Sequence, residues 1–133
     1  MRSIIIALLL SFAASNMFAQ YTLYKEIEGV QFHTKWGNEK WYSKKSPKIL
    51  MVKIINKSST AAEFTLGIEF FTNLIMIEES AEKPYCVSAG KTLLPRVAGL
   101  AFKPAKANPE SLDSFELTGL EIEKLATTNC KQQ

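Results

Sequence analysis

Between Ala62 and Phe70 the chain alternates without a fault. Ala62, Phe64, Leu66, Ile68 and Phe70 fall on one side, while Glu63, Thr65, Gly67 and Glu69 fall on the other. Period two over this length marks a half-buried β-strand. A slip of one residue would bury both glutamates and expose both phenylalanines, so the register is strongly fixed. The even face belongs at the centre of the core.

The neighbouring segments read as strands too. Lys48–Ile55 is almost continuous in Ile, Leu, Met and Val, interrupted by Lys53, which suits a more fully buried strand. The Asn56-Lys57-Ser58-Ser59-Thr60 cluster is a turn signal, and it predicts that the two strands pair as an antiparallel hairpin. Leu74–Ile77 is the next strand, with Glu78-Glu79-Ser80 as its exit. Pro84 confines Lys83–Ser88 to an edge or a strand start. Pro95 and Gly99 break Lys91–Phe102, and Pro104 through Ser111 is a loop. Phe115–Leu125 changes phase across Gly119, which reads as a β-bulge. At the other end Leu23 and Ile27 change phase to Val30, Phe32 and Trp36 across Gly29, as a bulge or a tight turn. No window after residue 20 shows a capped helical stripe. The fold class is therefore all-β: an immunoglobulin-like antiparallel β-sandwich of about seven strands.

The chain has 133 residues, enough for one domain. Sixteen Lys and Arg against 13 Asp and Glu leave +3, too small a bias for a nucleic-acid footprint. Met1–Arg2, the apolar run Ile4–Ala14 broken by Ser11, and the small and polar residues that lead to Met17-Phe18-Ala19-Gln20 have the layout of a signal peptide. Residues 1–19 are thus expected to be removed, with cleavage after Ala14 or at Gln20 as the alternatives, and residues 20–133 to form the sandwich domain. The apolar run falls short of the about 20 residues that a spanning helix needs. The expected location is secreted or periplasmic, with no membrane insertion after cleavage. In such an oxidising compartment Cys86 and Cys130 are expected to form one disulfide, worth roughly 4 kcal/mol on the chain-entropy model.

Few residues offer chemistry. His33 is the only imidazole and has no second His or His-x-Glu beside it, so an exposed strand histidine is the reading. Glu78, Glu79 and Glu82 have the pattern of a solvated turn, without the spacing of a Ca²⁺ loop. No catalytic, cofactor or metal residue is expected. One His and two Cys cannot furnish an all-His/Cys zinc site. The best surface candidate is Trp36, Trp41 and Tyr42, interleaved with lysines that include Lys40 and Lys44. Exposed rings beside cations suit a sugar or an acidic partner. The same pattern also builds a hairpin whose Trp residues cover the open end of a sandwich, with lysines guarding an edge.

The terminal Phe18-Ala19-Gln20 resembles the signal peptides of Bacteroidota-type bacteria. Glu28-Gly29-Val30, Ile54-Ile55-Asn56-Lys57-Ser58, Cys86-Val87-Ser88-Ala89-Gly90-Lys91, and the closing Phe115…Leu120-Glu121-Ile122 with Cys130 resemble a loose set of short exported β-sandwich proteins of those bacteria. The likeness implies a fold and an export route, and no activity or site residue. The sequence thus points to a non-catalytic binding or interaction module with a protein or glycan partner and no nucleic acid. The alternatives are a carbohydrate-binding module using Trp36, Trp41 and Tyr42, and a small hydrolase using Glu78, Glu79 or His33.

Overall fold

The computed structural model describes residues 20–105 and 114–130. The expected signal segment 1–19 and most of the Pro104–Ser111 loop lie outside the described residues. The strands are β1 (Thr22–Ile27), β2 (Val30–Asn38), β3 (Lys48–Asn56), β4 (Ala62–Thr72) and β5 (Ile75–Val87). After them come β6 (Thr92–Leu93), the single turn of helix α1 (Pro95–Ala98), β7 (Ala101–Phe102), β8 (Ser114–Thr118) and β9 (Ile122–Lys124).

These form two antiparallel sheets. One runs β1-β2-β3, with β6 and β7 both on the far edge of β3; the other runs β5-β4, with β8 and β9 sharing the far edge of β4. Each split edge is one strand broken in the middle. Pro95 and Gly99 force the first break, since α1 starts at the proline and ends on Gly99 at φ 75°. Gly119, at φ 71°, makes the second. Counted this way the described residues form seven strands, in line with the about seven expected. The immunoglobulin likeness holds for the architecture; the connectivity differs, because β2 pairs with β3 here and not with a later strand.

The core is the space between the sheets. Phe32, Leu50, Val52 and Ile54 from one sheet and Phe64, Leu66, Ile68 and Phe70 from the other are buried. Phe32 meets Phe64 edge to face, with centroids 5.4 Å apart. Tyr24, displaced by a register shift in β1, closes one side: its ring stacks on Phe115 at 6.0 Å and its hydroxyl accepts the Leu117 N–H at 3.3 Å.

The expected hairpin of β3 with β4 does not form. β3 pairs with β2, β6 and β7, and β4 pairs with β5, β8 and β9. Residues 57–61 carry the chain across from one sheet to the other. Pairing the two strands side by side would leave the apolar face of each uncovered, whereas crossing sets them face to face. The side chain of Asn56, wholly buried, holds the crossing. Its amide nitrogen donates to Thr60 O at 2.9 Å and to Val87 O at 3.1 Å, and its oxygen accepts the Ser58 N–H at 2.9 Å. All of its polar groups are satisfied, which is what makes the burial tolerable.

Other details refine the strand readings. Gly29 is in a tight turn, with Glu28 and Gly29 both at positive φ between β1 and β2. β5 runs well past the expected exit at Glu78-Glu79-Ser80 and takes in Pro84 as well; it is an edge strand, where a missing N–H and exposed charges are tolerated. Thr65 faces outward as its alternation requires, but its hydroxyl donates to Gly119 O at 2.6 Å.

The Cys86–Cys130 disulfide is present, with Cα atoms 6.0 Å apart. It fastens the segment beyond β9, which also crosses the sheet end through Ala61 N–H to Thr127 O and Ala89 N–H to Thr128 O, both 2.8 Å.

Replacing Asn56 by Ala takes away the acceptor of the Ser58 N–H and the amide donor to the Val87 carbonyl, while the Thr60 carbonyl keeps the Ser58 hydroxyl. The expected loss is about 2–4 kcal/mol in urea unfolding, from the cost of buried polar groups left unpaired. A loss below about 1 kcal/mol would mean that the amide does not hold the crossing.

Candidate functional site

The sandwich has two unlike ends. Val30 pairs with Asn56 and Ala62 with Val87 at the end that carries the crossing and the disulfide. At the other end Trp36 packs on Phe70, with centroids 6.1 Å apart, so the loop after β2 and the turn after β4 emerge together.

The loop is residues 39–47, and it is built firmly. The Glu39 N–H donates to Pro47 O at 2.8 Å, and the Ser46 hydroxyl donates to Ser43 O at 2.9 Å while accepting the Lys40 N–H at 3.2 Å. Arg96 reaches over from α1 and donates to Glu39 O and Asn38 O, each at 2.7 Å. Lys103 pairs with Glu39 at 3.3 Å, and the Lys48 ammonium donates to Asn38 Oδ1. On this base stand Trp41, 80% exposed, and Tyr42, 69% exposed, with perpendicular rings 5.6 Å apart.

The turn is Asn73-Leu74, both at positive φ, 53° and 65°. Such two-residue turns favour Asn-Gly, because a left-handed backbone costs roughly 1–2 kcal/mol for a residue with a Cβ. Here the second position holds leucine, 90% exposed, and Ile75, Met76 and Ile77 behind it are also exposed. An apolar side chain is thus kept at the tip against both backbone preference and solvation.

The structure divides the aromatic trio expected from the sequence. Trp41 and Tyr42 are exposed, but Trp36 faces inward and packs on Phe70 and Phe115. The three rings form no common platform, and the two that are exposed are not coplanar. The alternation of Val30, Phe32 and Trp36 on one side of β2 is the signal that separates Trp36 from the others. Lys40 and Lys44 are exposed beside the pair, together with Lys45. The sequence reading missed Leu74–Ile77 as surface, because a run of apolar residues normally implies burial.

The groups named for hydrolysis do not converge. His33 is on the outer face of the β1-β2-β3 sheet, opposite Lys53, and its Nε2 donates to Gln31 Oε1 at 3.1 Å. Glu79 is on the outer face of the other sheet, in a row with Glu69 and Glu116 across three strands. Glu63 and Glu123 are likewise opposite each other. Glu82 lies across Gly119, where an added Cβ would meet its carboxylate within 2.6–2.9 Å. Glu78 accepts the Ala105 N–H at 2.8 Å. An open depression of about 880 Å³ lies on this acidic face near the disulfide, lined by Glu63, Thr65, Tyr85, Glu121 and Glu123 among others, and by none of His33, Glu78 or Glu79. Among the described residues there is no cluster of His, Cys, Asp and Glu able to hold a metal, and no helix long and apolar enough to cross a membrane. No family model, curated protein or solved structure matches the chain.

Partial burial lowers the pKa of His33, and the Lys53 and Lys57 charges lower it further, against a smaller opposing effect of Glu26. The folded ring therefore gives up its proton at lower pH than the unfolded ring, whose pKa is about 6.5. Between the two values the unfolded chain binds more protons, so the contribution of His33 is intact above about 6.5 and declines as the pH falls. An NMR titration of the ring should show a midpoint below about 6.5 that rises in Lys53→Gln. A midpoint at or above that value would contradict the placement.

Proposed function

We propose that this protein is an exported, non-catalytic interaction module, secreted or periplasmic, that makes contact through the end bearing Trp41, Tyr42 and Leu74–Ile77. The observation that carries this reading is Leu74. Structure alone would favour glycine at its backbone conformation and a polar residue at its exposure, so the side chain is retained at a cost to stability. The aromatic loop beside it supports the same reading. Trp and Tyr bring large contact area with few rotatable bonds, and the loop that carries them is already ordered before any contact. The disulfide fits an oxidising compartment.

The test separates folding from contact. Leu74→Gly should raise stability by about 1 kcal/mol by relieving the left-handed backbone. The same variant should weaken sedimentation of the mature protein with the native envelope fraction, as should Trp41→Ser. Val97→Ser, an exposed apolar change on α1, should leave sedimentation unaltered. Equal sedimentation of wild type, Leu74→Gly and Trp41→Ser would overturn the proposal.

A further inference from the structure

Ile75 and Met76 pair with Thr72 and Phe71 and so point to opposite faces of the hairpin, with Leu74 in the turn before them and Ile77 at the register shift after them. All four are exposed, falling from 90% at Leu74 to 37% at Ile77. A protein partner laid against one face of the hairpin would cover Ile75 or Met76 and leave the other in water. Apolar residues on both faces and at the tip call for surroundings that are apolar on every side. The graded exposure is that of a prong, most exposed at its point. Three residues of strand extend about 10 Å, which matches the about 5–10 Å reached by interfacial segments in a bilayer.

Charge agrees with this. Lys40, Lys44 and Lys45 are exposed on the loop beside the prong, and among the described residues none of them has an ion-pair partner; the carboxylate on that loop, Glu39, is held by Lys103. Trp41 and Tyr42 are of the types that settle at the headgroup level, where one part of the ring is apolar and the other wet. The acidic row Glu79-Glu69-Glu116 lies on the sheet face, further from the tip along the strands.

Resting on the reading that this end is the contact surface, we infer that its partner is an anionic lipid surface: the Leu74–Ile77 tip enters the outer part of the bilayer, Trp41 and Tyr42 lie at the headgroups, and Lys40, Lys44 and Lys45 face the lipid charge. The protein then lies on the membrane and does not span it. Attraction of this kind is worth about a fivefold change in partitioning for each lysine near the surface and is weakened by salt.

The probe is vesicles of phosphatidylglycerol with phosphatidylethanolamine, compared with vesicles of phosphatidylcholine alone. The mature protein should sediment with the first and much less with the second. Replacing Lys40, Lys44 and Lys45 together by Gln should weaken this by about fivefold per residue, and Leu74→Ser should weaken it independently. Lys57→Gln, at the far end, should change nothing. Trp41 fluorescence should shift to the blue on binding, and Trp41→Phe should abolish the shift. Equal binding to both vesicles, or binding indifferent to the three lysines, would overturn the anionic-surface assignment. Failure to bind either vesicle, with protease-sensitive binding to the native envelope that still needs Leu74, would overturn it in favour of a protein partner and leave the contact surface standing. Failure to bind vesicles and envelope alike would overturn both.

Discussion

The molecule depends on two sheets closing face to face, with the inner residues of β4 against those of β2 and β3. Phe32 against Phe64 and Trp36 against Phe70 fix which parts of the two sheets oppose each other. The closure needs the chain to leave one sheet at Asn56 and enter the other at Ala62, and a buried amide makes that passage possible without orphaned backbone groups. Apolar burial supplies the drive, at roughly 25 cal/mol for each Å², and the polar crossing decides where it is spent.

The end proposed for contact follows from the same closure. Because β2 and β4 run to the same end, the loop with Trp41 and Tyr42 and the turn with Leu74 are carried there together. The far end takes the crossing and the disulfide-fastened tail, so the rigid fastening and the exposed apolar groups are kept apart. The outer face of the β5-β4 sheet has its own constraint. Rows of glutamate directly opposite one another cost stability, yet they keep a sheet face and the long edge strand β5 from pairing with another sheet.

Much of this was legible in the sequence, for stated reasons. The face of β4 was readable because alternation with glutamates on the other side admits one register. The breaks at Pro95, Gly99 and Gly119 were readable from backbone chemistry, and the disulfide from an even cysteine count beside the pattern expected of an export signal. The crossing was not legible. Residues 56–60 read as a turn cluster whether the chain folds back in its own sheet or passes to the other, and what decides is the carbonyl of Val87, far away in sequence. β5 was read too short because Glu78, Glu79 and Pro84 mark a strand's end in a central position but not at an edge. In the candidate site, Trp41 and Tyr42 were legible as exposed rings, while Trp36 follows the other reading that the sequence allowed, a Trp that covers the end of the sandwich, in line with its alternation with Val30 and Phe32. Leu74–Ile77 gave no surface signal, since only the left-handed turn shows that this apolar run is a tip.

The central claim is that β2 and β4 lie in different sheets and meet across the core. A double-mutant cycle on Phe32→Leu and Phe64→Leu, read by urea unfolding, tests it most directly. The rings meet edge to face at 5.4 Å, so the two losses should fail to add, with a coupling of about 0.5–1.5 kcal/mol. Losses that add to within about 0.3 kcal/mol would mean that the rings do not meet, and would contradict the sandwich and the meeting of the Trp41 loop and the Leu74 turn at one end.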